Sequence, residues 1–278
     1  MKKETPIGWK IVGGLYRSIR PVLSSLEAGI IGAITHQIPI TQRADQDVYI
    51  VGYPRSGTTW FRNLMMGVIY GIDLDFSTPK MMEDLVPEIE NKRYYTRYDT
   101  PMYFNTRSLP RPEFRRVVYL LRDGRDVMVS HWHILLTRSG KQIDFMGLVD
   151  GRLLKQKWSD HVDAWLANPY NSVMIVIKYE DLLINPVREL RRFCNFFGIE
   201  REDSLLIQAA EKATFAKMRL KETRYKWQPE FGAPGSPYFI RRGEIGSYKD
   251  EMPPDVLAAY LESSGSTLRK CGYLNDHE

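Results

Sequence analysis

Cysteine is scarce in this 278-residue chain: Cys194 and Cys271 are the only two, and they form no C-x-x-C pair. That excludes a metal site built on thiolates, and reduced thiols in the cytosol are the simplest reading, so a cytoplasmic protein is expected. Long apolar runs are also lacking. The longest uncharged stretch, 28–42, falls short of the roughly 20 residues a spanning helix needs and contains Pro39. The first apolar patch, "IVGGLY", is short, is followed by Arg17 and Arg20, and has no small-residue cleavage site, so no signal peptide is expected. There is no internal repeat and no low-complexity tract. Charge of one sign does not dominate either: 39 Lys and Arg against 34 Asp and Glu leave +5, a balance that permits an anionic ligand, nucleic acid or an acidic membrane surface without choosing among them.

What is present is the patterning of a folded α/β protein. Residues 48–60 read "VYIVGYPRSGTTW": a strand over 48–51, a turn through Gly52 and Gly57, and then a helix over 60–70 that Gly71 ends. Two further β-rich runs, "RRVVYLL" (115–121) and "SVMIVIKY" (172–179), are too continuously apolar to have one face in water and predict strands in the middle of a parallel sheet. Helices are predicted over 123–136, 153–166 and 187–197, the last introduced by Asn185-Pro186 and ended by Gly198. Alternating strands and helices imply a three-layer α/β fold around a central, mostly parallel sheet. The whole chain, 1–278, reads as one domain. Its first 45 residues pack on that domain or lie on a membrane surface, and the Pro/Gly-rich stretch 228–239 reads as a long surface loop.

The first loop has the layout of a phosphate-binding loop. Backbone N–H groups around Gly57 and the start of the following helix can point at one anion, and Ser56, Thr58 and Thr59 lie beside them. Yet a nucleoside triphosphatase loop, G-x-x-x-x-G-K-S/T, needs lysine where this chain has Thr58, and its cation, Arg55, sits inside the loop. Trp60, just after the anion site, can stack on a base or simply fill the core. The second predicted strand runs into "LLRDGRDVMVSHWH", which puts Arg122 at the carboxyl edge of the sheet, where open α/β folds bind ligands. Ser130 lies about two helical turns, roughly 12 Å, further on. A third basic element, "FIRRGEIGSYKD", follows the Pro/Gly-rich loop. Each cluster alone has a bland reading as a cap or a solvated face; the combination is far more specific.

These segments resemble those of the cytosolic-type sulfotransferases. "YPRSGTTW" is similar to their 5′-phosphosulfate loop, with Arg55 where the family usually has lysine, and "RDGRDVMVSHWH" is similar to their 3′-phosphate segment. The resemblance implies the donor 3′-phosphoadenosine-5′-phosphosulfate (PAPS). It assigns Arg122 and Ser130, with Arg241, Arg242 and Gly243 of "RRGEIG", to the 3′-phosphate. It places Tyr179 of "KYEDL" on the adenine, and Phe215 of "ATFAKM" opposite Trp60 across that base. No metal is demanded, because a permanently charged Arg55 can stabilise the leaving phosphate directly. The expected reaction moves a sulfuryl group to an acceptor hydroxyl or amine by in-line displacement.

One family element is missing. Where K-S/T-H is usual, with the histidine as base, this chain has Asn105, Thr106 and Arg107. Glu88, in "MMEDLVPEIE", is expected to supply the base, with His131 next. Two alternatives stay beside this reading, a PAPS-binding homologue impaired in transfer and, further off, a P-loop kinase or NTPase. A non-catalytic anion or membrane-surface binder is a third. The acceptor is a small molecule, a carbohydrate or a lipid, nucleic acid is not expected, and no match to the family's short C-terminal dimer motif speaks for an oligomeric state.

Overall fold

The computed structural model describes residues 37–99, 101–225 and 238–275. The readings for residues 1–36 and for most of the Pro/Gly-rich loop therefore lie outside the described residues. The described elements are, in chain order, β1 (Ile38–Pro39), β2 (Val48–Gly52), α1 (Thr58–Tyr70), α2 (Pro79–Leu85), β3 (Tyr94–Tyr95), β4 (Tyr103–Thr106), β5 (Arg116–Leu121), α3 (Gly124–Ser139), α4 (Phe145–Val149), α5 (Trp158–Ala167), β6 (Val173–Lys178), α6 (Tyr179–Ile184), α7 (Pro186–Phe197), α8 (Asp203–Lys212), α9 (Phe215–Tyr225), α10 (Tyr248–Glu251) and α11 (Pro254–Lys270).

The central sheet has the order β4-β2-β5-β6 with every neighbour parallel, so the carboxyl ends of all four strands share one edge. The period of two along β2 divides its side chains between two cores. Tyr49 and Val51 pack with residues of α3, α5 and α11 such as Val127, Trp165 and Tyr260. Val48 and Ile50 pack with α1, α7 and α8 through Phe61, Phe193 and Leu206. Helices on both faces of one parallel sheet make the expected three-layer α/β fold.

Local signals act as read in most places. Gly71 and Gly198 close α1 and α7 in left-handed conformation, and the Asn185 side chain accepts from Arg188 N at the start of α7. Asp123 caps α3 through Arg125 N. Two expectations need correction. The strand expected in mid-sheet at 172–179 is β6, which lies at one edge of the described sheet and leaves Val173 exposed, although Ile175 and Ile177 are buried. The helix expected over 153–166 begins only at Trp158: Gly151 turns left-handed (φ 89°), and the Asp150 carboxylate takes the Arg152 amide, so the chain turns before α5. In addition, β4 falls in a stretch that the sequence suggests only as loop; its four residues are too few to show a period.

The fold makes one position near the sheet edge intolerant of any side chain. A Cβ at Gly124 would lie 2.0 Å from Tyr260 Oη and 2.6 Å from Trp158 Cδ2. Because α3 starts there, Gly124→Ala should push α3 away from α5 and α11 and destabilise the protein by about 1–3 kcal/mol or more, seen as a lower denaturant midpoint. An unchanged midpoint would mean that this three-helix contact is looser than described.

Candidate active site

At the carboxyl edge of the sheet a cavity of 660 Å³ opens, walled by the loop after β2, the start and one face of α3, the beginning of α6, and the segment 239–247. Arg55, Gly57, Thr58, Thr59 and Trp60 line it from the loop and α1. Gly57 is the N-cap of α1 with φ 92° and offers no side-chain cap, so the first-turn N–H groups lack a capping side-chain partner. Arg55 is itself left-handed (φ 77°), a conformation that costs a non-glycine residue energy and that is paid where a loop must aim a particular side chain. Ser56 is different: its side chain is buried off the cavity wall, and its backbone N–H donates to the Tyr53 carbonyl (3.0 Å), so it serves the turn.

The three basic elements converge. Arg55 Nε donates to Ser130 Oγ (3.0 Å) and Arg55 Nη2 to the Phe239 carbonyl (3.0 Å), with its guanidinium 4.1 Å from the Phe239 ring centroid. Arg122 Nη1 donates to the Arg55 carbonyl (3.2 Å), and the Arg122 guanidinium lies 4.2 Å from the Tyr179 ring centroid. The Nε atoms of Arg122 and Arg241 are buried without a hydrogen-bond partner. Burial first, and then the guanidiniums of Arg122, Arg138 and Arg107, push Arg55 down to about 9. It stays charged at pH 7, and crowding by like charges is what an incoming anion relieves.

Tyr179, Phe215 and Trp60 all line the cavity. Trp60 meets Tyr179 edge-on (centroids 5.7 Å, 72°) and donates its Nε1–H to the Ala213 carbonyl (2.7 Å). The approach is so tight that a Cβ at Gly57 would meet Tyr179 Cδ2 at 2.7 Å, and one at Gly243, with φ 68°, would meet Phe215 Cδ2 at 2.3 Å. Gly243 is thus required on both counts, space and backbone. Arg241 and Arg242 also line the cavity, and both pair with Glu251, at 2.8 and 3.1 Å.

Glu88, Asn105, Arg107 and His131 also line the cavity. Asn105 and Thr106 end β4, so the triplet that departs from the family pattern does sit at the sheet edge beside the loop. Glu88 is buried, bridges backbone to backbone with Asn105, and pairs with Arg107 (2.8 Å). Burial raises its pKa against the opposing pull of Arg107 and Arg62. His131 goes the other way, to about 4, through burial and the fields of Arg55, Arg138 and Arg107. Among the described residues there is no group of three or more His, Cys, Asp or Glu side chains that could hold a metal ion, and no helix long and apolar enough to cross a membrane.

Sequence reasoning missed the carboxylates that hold the segment after the Pro/Gly-rich loop. Asp126 accepts from Gly246 N (2.7 Å), Tyr248 N (3.0 Å) and Ser247 Oγ (3.2 Å), and the fully buried Glu222 accepts from Phe239 N (2.5 Å) and Ile240 N (2.9 Å). Asp126 stood inside a recognised segment, but an acidic residue in a first helical turn reads as a dipole partner; nothing in the chain around Glu222 marks it.

The chain belongs to the sulfotransferase domain family, whose model matches residues 45–272. Sulfotransferase 1E1 of Bos taurus is 23% identical over 264 residues, covering 84% of this chain and 89% of that protein. Cytosolic sulfotransferase 1 of Danio rerio is 26% identical over 84% of this chain and 88% of its own length. The flavonol 3-sulfotransferase of Flaveria bidentis is 26% identical over 80% and 82%. The fold is likewise that of retinol dehydratase in complex with androsterone and the inactive cofactor PAP (TM-score 0.63, 21% identity, 85% of this chain and 84% of that one). A mouse sulfotransferase complexed with PAP superposes with a TM-score of 0.59 at 18% identity, over 83% and 87%.

Asp126→Ala should release 246–248: hydrogen exchange at the amides of Gly246 and Tyr248 should accelerate, with a stability loss of about 1.5–3 kcal/mol for the charged hydrogen bonds removed. Unchanged exchange there would show that the segment is held by something else.

Proposed function

We propose that the chain is a PAPS-dependent sulfotransferase that works as one domain in the cytoplasm, with Arg55, Ser56, Gly57, Thr58 and Thr59 forming its phosphosulfate loop. The carrying observation is the convergence of Arg55, Ser130 and Arg122 through direct hydrogen bonds at a helix N-terminus that has no capping side chain. Such a site has room for two separate anions and gives no lysine to a triphosphate chain. The bare N-terminus of α1 and Arg55 suit the 5′ end of the donor. Arg122 and Arg241, which line the cavity, suit the 3′-phosphate with Ser130, Arg242 and Gly243. Trp60, Tyr179 and Phe215 supply flat faces for the base.

When bound, PAPS supplies a sulfuryl group whose S–O bond to the 5′-phosphate breaks as the acceptor oxygen bonds to sulfur. Arg55 faces the charge that the leaving phosphate gains, and needs no proton transfer to stabilise it. Glu88 takes the acceptor proton. Its burial moves its pKa toward the operating pH, whereas His131 is made a weaker base. Arg107 then keeps the carboxylate oriented. A second reading, donor binding without transfer, draws on the same 2.8 Å Arg107–Glu88 pair, which ties up the carboxylate charge.

Glu88→Gln decides between them. The base acts deprotonated, so rate falls as acid protonates it, and a raised pKa puts that acidic limb above the ordinary 4.5 of a glutamate. The parent should show this limb in single turnovers with saturating donor; the variant should lose about 10²–10⁴-fold in rate together with the limb, while binding donor as before. A full-rate variant would remove Glu88 from the role.

A further inference from the structure

We infer that Glu251 is a positioning residue for donor recognition: it aims Arg241 and Arg242 at the phosphate on the ribose and so sets the preference for a 3′-phosphorylated nucleotide. The inference rests on the sulfotransferase reading of this cavity. Both arginines line the cavity, and Glu251 is not among the lining residues. Its Oε2 accepts from Arg241 Nη1 at 2.8 Å, and its Oε1 lies 3.1 Å from Arg242 Nη1, so one carboxylate reaches two guanidiniums that are neighbours in the chain. Each guanidinium gives it one terminal nitrogen and keeps its other N–H donors. The two arginine side chains remain accessible, 22% and 41% exposed.

Glu251 can aim them because it is itself fixed from another side. Its Oε2 also pairs with His133 Nε2 at 2.7 Å, and His133 belongs to α3. Asp126, Ser130 and His133 stand at i, i+4 and i+7 of that helix, hence on one face. Asp126 accepts from the amides of Gly246 and Tyr248, Ser130 from Arg55 Nε, and His133 holds Glu251. Tyr248 is the first residue of α10 and Glu251 the last, so both ends of α10 are tied to the helix face that meets Arg55. Burial alone would raise the Glu251 carboxyl, but the hydrogen bonds and charges of His133 and Arg241 hold it below the usual glutamate value, and it is ionised at neutral pH. Without that charge two adjacent guanidiniums repel each other in a cavity that already contains Arg55 and Arg122. Glu244 is a poor substitute, 3.9 Å from Arg242 with its side chain 65% exposed. A carboxylate behind cations also competes for them, but this one takes a single nitrogen of each, so its effect on aim is the larger.

Titration calorimetry of the full chain with adenosine 3′,5′-bisphosphate and with adenosine 5′-monophosphate gives a ratio of Kd values that isolates what the 3′-phosphate adds. Glu251→Gln should lower that ratio about tenfold by weakening the bisphosphate, with the monophosphate within about twofold, which also reports that the variant is folded. His133→Ala, which removes one hold on Oε2, should lower the ratio about threefold, whereas His133→Gln, which still presents a donor, should keep it within about twofold. A ratio unchanged or raised in Glu251→Gln overturns the inference. Equal weakening of both nucleotides overturns it too, since Glu251 would then only support the fold. Should Glu251→Gln not fold, the His133 pair decides, and equal ratios in its Ala and Gln variants overturn the inference. A parent chain that binds both nucleotides alike removes the donor reading itself; a parent that prefers the bisphosphate, with a Glu251→Gln variant that does so equally, removes only the role of Glu251.

Discussion

Everything at this site is arranged around one guanidinium held where it is costly to hold it. Arg55 sits in left-handed backbone, partly buried, within the fields of Arg122, Arg107 and Arg138. Like charges at short range in a poorly solvated loop repel, and the fold resists that repulsion with neutral acceptors: the Ser130 hydroxyl and the Phe239 carbonyl for Arg55, the Arg55 carbonyl for Arg122. None of these cancels charge. The loop therefore keeps an attraction for anions, which suits the phosphosulfate role proposed for it. Arginine's fork bonds Ser130 on α3 from Nε and Phe239 on the covering segment from Nη2, two nitrogens fixed in one plane.

The charge cluster in turn requires carboxylates placed off the donor path. Asp126, Glu222 and Glu251 hold the segment 239–248 by its backbone amides and by Arg241 and Arg242, and of the three Glu222 also acts on the charge of Arg55. Gly243 lets the same segment lie flat on Phe215. The cavity is thus assembled from distant stretches of chain that meet because the strands β2, β5 and β6 end at one edge and the segment 239–248 is tied down onto it.

Strand, glycine loop and helix at 48–70 were legible because each has a local cause: an apolar β-rich run in β2, glycines in the turn, a C-terminal glycine after α1. The basic clusters were legible as types and the cavity unites them, Arg122 with Ser130 and Arg241 with Gly243. What escaped has causes that the apolar pattern does not display. The position of β6 at an edge depends on pairing, and the break at 150–157 depends on a glycine conformation and an aspartate side chain that a helical apolar period does not reveal. Ser56 turned inward because the turn needs its backbone, and its side chain follows the buried side. Glu222 reads as an ordinary charge on a helix until Phe239 is found on it. At Arg107, the sequence shows only what is missing; the structure adds its ion pair with Glu88.

The central claim is that this cavity reads two separated phosphates on one adenosine with arginines and a bare helix end. Isothermal titration of the full chain without Mg²⁺ tests it most directly, comparing adenosine 3′,5′-bisphosphate with adenosine 5′-monophosphate. The account predicts that the bisphosphate binds more tightly by about 1.5–3 kcal/mol, the worth of charge-assisted bonds from Arg122 and its neighbours to the 3′-phosphate. Equal affinities, or binding that requires ATP and Mg²⁺, would contradict it.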